Sequence, residues 1–148
     1  MSSQINSNSI TINSSAQKVW FALTNSNVVN KYLPNVKVVS SWELGSRIVY
    51  TCYDKDGEVY QWNGKPMIWS GEITAWEINK TLEIDYTDQS QGVTSESYIL
   101  KSIDDNTTEL TFTQTLVSQE MANSYKDGNQ YTLDALKKYC EQNNSTNI

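Results

Sequence analysis

The side chains that could do chemistry in this chain are mostly aromatic. Tryptophans stand at Trp20, Trp42, Trp62, Trp69 and Trp76, and the tyrosines include Tyr32, Tyr50, Tyr60, Tyr86, Tyr98 and Tyr125. Large apolar rings that carry a few hydroxyl and indole donors can enclose an apolar ligand and orient it. The same rings also fill cores and cover sheet faces. Trp20 reads as core. The strand tyrosines stay open between core and pocket, because a buried phenol needs a polar partner and a cavity supplies one.

Other chemistry is thinly provided for. The chain has no histidine, which removes the commonest general base, the commonest metal ligand and every histidine-dependent triad. Cys52 and Cys140 lie far apart in apolar stretches. They read as buried free thiols and make no zinc site. Gly45, Gly57, Gly64, Gly71, Gly92 and Gly128 are scattered at turns and bends, with no phosphate-binding loop among them. Asp54, Asp56 and Glu58 lack the rest of a calcium loop and read as a solvated hairpin turn. Glu83 and Asp85 fall on the wet face of their strand, leaving Glu72 and Glu77 as carboxylates that could flank a cavity. No cofactor or metal is expected.

The elements that must position these residues follow from period and punctuation. Ser9 to Asn13 alternates as a short strand, and residues 1–8 read as a flexible end. Ser14 or Ser15 can cap a helix carrying Val19, Trp20 and Leu23. Asn25-Ser26-Asn27 ends it and caps a second helix that stops at Leu33-Pro34. A meander of strands is expected over Val36–Ser40, Ser46–Asp54, Met67–Ile78 with a bend at Gly71, Thr81–Thr87, Val93–Ile103 and Thr108–Leu116. Asp56-Gly57 and Asn63-Gly64 are hairpin turn dipeptides. From Gln119 to Gln142 the period changes to that of a long helix, with Tyr125, Leu133, Leu136 and Cys140 on its apolar face. The order is strand, two helices, about six antiparallel strands and a long helix, hence an α+β fold in one domain over 9–142, with a flexible C-terminus over 143–148. A sheet curved around one helix rarely fills its interior, so a cavity is the natural consequence.

Charge narrows the partners. The formal net charge of −6 repels phosphate backbones and anionic lipid surfaces, so neither nucleic acid nor membrane is an expected partner. MSSQINSNSI has no basic region followed by an apolar stretch, and no apolar run is long enough to span a bilayer. The expectation is a cytoplasmic protein.

Several stretches, taken in order, resemble one family. Ser15, Val19-Trp20, Leu23-Thr24 and Tyr32-Leu33, then Trp42-Glu43-Leu44-Gly45-Ser46, Trp62-Asn63-Gly64-Lys65-Pro66 and Gly71-Glu72-Ile73 are similar to activator-of-Hsp-90-ATPase-homologue-like proteins of the START or Bet v 1-like (SRPBCC) superfamily. Asn79-Lys80-Thr81-Leu82 stands at a corner where that family often has proline in the place of Asn79. Thr108 to Gln114 resembles its last strand and Gly128 to Glu141 its closing helix, with Asn129 where tryptophan is usual. The resemblance covers about residues 9 to 142. It implies a helix-grip fold: a curved antiparallel sheet, two short helices that hinge the grip, and a long C-terminal helix over a cavity.

The superfamily binds lipids, sterols, polyketides and plant phenolics, and a minority of its members are enzymes. The expected function is therefore non-catalytic binding of a small hydrophobic or aromatic ligand between sheet and C-terminal helix. The site residues expected are Tyr32, Trp42, Tyr50, Cys52, Trp69, Tyr86, Tyr98, Phe112, Tyr125, Asn129 and Leu133. Asn in place of tryptophan at 129 would open the cavity and set an amide in it. The competing readings are a module that acts on a chaperone, as the family name suggests, and a cyclase- or hydrolase-like enzyme.

Overall fold

The computed structural model describes residues 4–62, 64–88 and 92–142. Strand β1 (Gln4–Ile12) leads into helices α1 (Ala16–Leu23) and α2 (Ser26–Tyr32). Strands β2 (Val36–Ser40), β3 (Arg47–Cys52), β4 (Gln61–Trp62), β5 (Lys65–Pro66), β6 (Ile68–Glu77), β7 (Thr81–Asp88), β8 (Val93–Asp104) and β9 (Thr107–Leu116) follow, and α3 (Gln119–Gln142) closes the chain. Seven strands form one antiparallel sheet in the order β1-β9-β8-β7-β6-β3-β2, and β4 pairs with β5 as a separate small hairpin. This is the helix-grip architecture, with α3 lying over β1 and β9.

Local chemistry explains the interruption between β1 and β2. The Ser15 hydroxyl accepts from the Lys18 N–H at 3.2 Å and caps α1. The Asn25 carboxamide accepts from the N–H groups of Asn27 and Val28 at 3.1 Å and caps α2. Val19, Trp20, Ala22 and Leu23 of α1 and Val28 and Val29 of α2 turn into the core. Trp20 is core, its ring 5.1 Å from that of Trp76 in an edge-to-face contact.

The N-terminal boundary differs from the sequence expectation. Residues 4–8, expected to be flexible, are strand: Gln4 lies opposite Leu116 and Asn8 opposite Phe112. The reason is chemical. In this half of β1 the positions facing α3 carry amides in place of apolar groups, and they bond to the helix. Asn6 Nδ2 donates to the Ala122 carbonyl at 2.8 Å, and Asn8 Nδ2 donates to Gln130 Oε1 at 3.1 Å. A hydrophobic period does not register such a strand. Residues 143–148 and Asn63, the first residue of the second turn dipeptide, lie outside the described residues.

At the other end of α3, Lys137 Nζ donates to the Thr11 carbonyl at 2.6 Å and to Glu141 Oε2 at 2.7 Å, while the same Glu141 oxygen accepts from the Asn13 N–H at 2.8 Å. The helix is thus tied to β1 along its length. At the β6–β7 corner Asn79 adopts φ 66°, which proline cannot reach.

Gly71 is where β6 meets β7 most closely. A Cβ there would press on the Asp85 carbonyl oxygen and sit 2.9 Å from Tyr86 Cα. The register of the two strands shifts between Ser70 and Gly71, so the expected bend coincides with a bulge. Gly71→Ala should therefore destabilise by about 1–3 kcal/mol through overpacking, read as a lower urea midpoint; an unchanged midpoint would mean that the strands part without strain. Among the described residues, no helix is long and apolar enough to cross a membrane.

Candidate functional site

Between the concave face of the sheet and α3 lies a cavity of about 260 Å³. Its wall is built strand by strand. β3 gives Tyr50 and Cys52, β6 gives Trp69, β7 gives Tyr86, β8 gives Glu96 and Tyr98, and β9 gives Phe112 and Gln114. Tyr125, Gly128, Asn129, Thr132 and Leu133 close it from α3, and Leu33, Val36 and Met67 complete it. Sheet register fixes who meets whom. Tyr50 is paired with Trp69, Tyr98 with Phe112, and Gln114 stands between Asn6 and Glu96. The Tyr98 and Phe112 rings are 4.8 Å apart, and the Tyr125 ring lies 5.5 Å from Trp62 and 6.3 Å from Trp69.

Of the residues expected at the site, Tyr50, Cys52, Trp69, Tyr86, Tyr98, Phe112, Tyr125, Asn129 and Leu133 all come to this wall. Tyr32 and Trp42 do not. The Tyr32 hydroxyl donates to the Ala22 carbonyl at 2.9 Å and its ring packs 5.7 Å from that of Tyr139, so it joins the two short helices to α3. Trp42, at φ 56° in the β2–β3 loop, donates its indole N–H to Ser26 Oγ at 3.3 Å and braces α2. Glu72 and Glu77, the carboxylates that could have flanked a cavity, are exposed.

The sequence reading missed the polar centre. Tyr86 Oη donates to Glu96 Oε1 at 2.6 Å, and Gln114 Nε2 donates to Glu96 Oε2 at 2.8 Å. Asn129 Nδ2 in turn donates to Gln114 Oε1 at 2.7 Å. Each link donates toward the carboxylate, so the network favours negative charge there. A signal was present. Glu96 is in phase with Tyr98 and Leu100, and Gln114 with Leu110, Phe112 and Leu116, so both are polar residues at inward positions of alternating strands.

Burial sets the protonation states. It raises the Glu96 carboxyl above the usual carboxylate range, and the hydrogen bonds from Tyr86 and Gln114 pull it back only in part. Burial first, and the Glu96 charge second, hold the phenols of Tyr50, Tyr86, Tyr98 and Tyr125 above their ordinary value. Burial also raises the Cys52 thiol and, with Glu141 second, pushes Cys140 up to about 12. Both cysteines are free and held as neutral thiols. Among the described residues the indole N–H of Trp69, buried on the wall, has no acceptor. Among the described residues no group of three or more His, Cys, Asp or Glu could hold a metal.

Comparison with known proteins places this geometry. A protein from Cytophaga hutchinsonii, solved by NMR, matches with a TM-score of 0.72 at 23% identity, over 96% of this chain and 97% of that one. The Zhui aromatase/cyclase from Streptomyces sp. R1128 matches with a TM-score of 0.73 at 15% identity, over 96% of each chain. Norcoclaurine synthase from Thalictrum flavum, solved in complex with dopamine and hydroxybenzaldehyde, matches with a TM-score of 0.64 at 10% identity, over 93% of this chain and 86% of that one. At such identities the likeness is one of fold, not of function. No curated protein matches the chain. The model of the activator of Hsp90 ATPase homolog 1-like proteins matches residues 13–141, a span that takes in the whole cavity wall, and the chain belongs to that family.

Proposed function

We propose that the protein is a cytoplasmic carrier or sensor that binds a small aromatic ligand, non-covalently, between the sheet and α3. The observation that carries this reading is the Trp69 indole N–H, buried on the cavity wall without an acceptor. Such a donor left unmade costs about 1–3 kcal/mol, and an oxygen on a bound ligand would offset it. The lining of aromatic rings around a few convergent polar groups is the usual make-up of a small-molecule site. At about 260 Å³ the cavity is just below the ~300–1,000 Å³ common for such sites. That favours ligands of one or two rings over sterols or long polyketides. The single-ring compounds held by norcoclaurine synthase, which has the same fold, support a ligand of this size.

Asn129 offers the test. Its carboxamide lines the cavity from α3, and an indole in its place would occupy much of the space. Wild-type protein should show saturable changes in tryptophan emission with p-cresol or 4-hydroxybenzaldehyde. Asn129→Trp should lose that response while keeping its far-ultraviolet circular dichroism. A folded Asn129→Trp variant that binds as well as wild type would move the ligand elsewhere.

One observation favours a second reading. The Glu96–Tyr86 pair could exchange a proton with a bound ligand, and product formation on long incubation would turn a binding protein into an enzyme. The chaperone reading rests on the family's description alone, and a pull-down with Hsp-90 tests it.

A further inference from the structure

Among the described residues Glu96 is the one ionisable carboxylate on the cavity wall, and no lysine, arginine or histidine shares that wall with it. Its hydrogen-bond partners, Tyr86 and Gln114, are neutral. The Lys137–Glu141 salt bridge joins residues that are not part of the cavity wall. A carboxylate taken out of water is costly unless a cation accompanies it. Each Glu96 oxygen accepts one hydrogen bond from a neutral donor in the structure and has lone-pair capacity for another.

Aromatic rings share the wall with the charge. Tyr50, Tyr86, Tyr98 and Tyr125 line the cavity together with Glu96, and Phe112 packs against Tyr98 with the ring centres 4.8 Å apart. Rings around a single carboxylate make an environment suited to an ammonium group. The ring faces attract a cation, the carboxylate neutralises it and accepts its hydrogen bonds, and an anion is repelled. Trp69, two strands from Glu96 in the sheet, leaves its N–H for an oxygen.

Building on the binding reading, we propose that the ligand is a cationic aromatic amine, its ammonium paired with Glu96 among the tyrosines and an oxygen on its ring taken by the Trp69 N–H. A fatty acid or an aromatic carboxylate, with its own negative charge, would be rejected. Selection here is by charge as well as by shape.

Three probes of nearly equal size separate the terms: tyramine, tyrosol and 4-hydroxyphenylacetate, carrying an ammonium, a hydroxyl and a carboxylate on the same ring. Titrations of the full chain at pH 7.5, followed by tryptophan emission and amide shifts, should give tyramine an affinity at least about tenfold above tyrosol, with 4-hydroxyphenylacetate weakest. Glu96→Gln should bring the tyramine-to-tyrosol ratio close to one. Equal binding of tyramine and tyrosol by wild type, or a ratio that survives Glu96→Gln, would overturn the amine assignment and leave the binding reading standing. If neither tyramine, tyrosol nor p-cresol produced saturable changes at cavity residues, the binding reading would fall, and the amine assignment with it.

Discussion

Leu136→Ala will lower the free energy of unfolding by about 2–5 kcal/mol. Leu136 is 1% exposed and sits with Ala122, Leu133 and Cys140 on the buried face of α3. Truncation removes apolar contacts and leaves a void that close-packed neighbours fill only in part. The rest of α3 is largely polar, with Lys126, Asp127, Asp134 and Lys138 on its outer side, so few side chains hold it on the sheet. The check is a urea midpoint that falls while the slope stays constant. A near-neutral midpoint would mean that α3 does not dock through this face, and the roof of the cavity would then be wrongly placed.

The second large effect is on how stability varies with pH. The Glu96 carboxyl is raised in the fold, with burial the largest cause. As pH rises past the ordinary carboxylate range, the unfolded chain loses this proton while the folded chain still holds it. The unfolded state then binds fewer protons, so stability falls with pH until Glu96 ionises in the fold as well. The groups around it do not mask this. Tyr50 and Cys52 on β3, Tyr86 on β7, Tyr98 on β8 and Tyr125 on α3 are all raised and stay neutral through that window. Glu96→Gln should therefore match wild type at pH 4 and exceed it at pH 7.5, with a higher urea midpoint. A variant less stable than wild type at pH 7.5 would show that the carboxylate is better accommodated than its surroundings indicate. The same measurement bears on the ligand, since a charge that weakens the empty fold is one that a bound cation would relieve.

Much of this was legible in the residues. The period of α3, the caps at Ser15 and Asn25 and the alternation of β7 and β9 suffice for the order of elements and the side of the sheet that α3 covers. Once those are set, the inward phase of Tyr50, Tyr86, Tyr98 and Phe112 follows. What escaped were features whose chemistry interrupts a hydrophobic pattern. The first half of β1 pairs through its backbone and faces α3 with asparagines, so it reads as a frayed end. Glu96 and Gln114 occupy inward positions as polar residues and make sense only as partners of one another, across strands joined in space by register. Tyr32 and Trp42 were drawn toward the cavity by their size, yet each spends its polar atom on the helix pair. Ring size alone does not distinguish a wall from a brace; the hydrogen-bond partner does.

The most direct test of ligand binding in this cavity is the indole N–H resonance of Trp69, followed by heteronuclear NMR as tyramine is added. The account predicts a saturable shift of that signal toward a hydrogen-bonded position, accompanied by the amides of Tyr50, Glu96, Gln114 and Asn129. A Trp69 resonance that stays in place while other tryptophans or surface amides shift would contradict it.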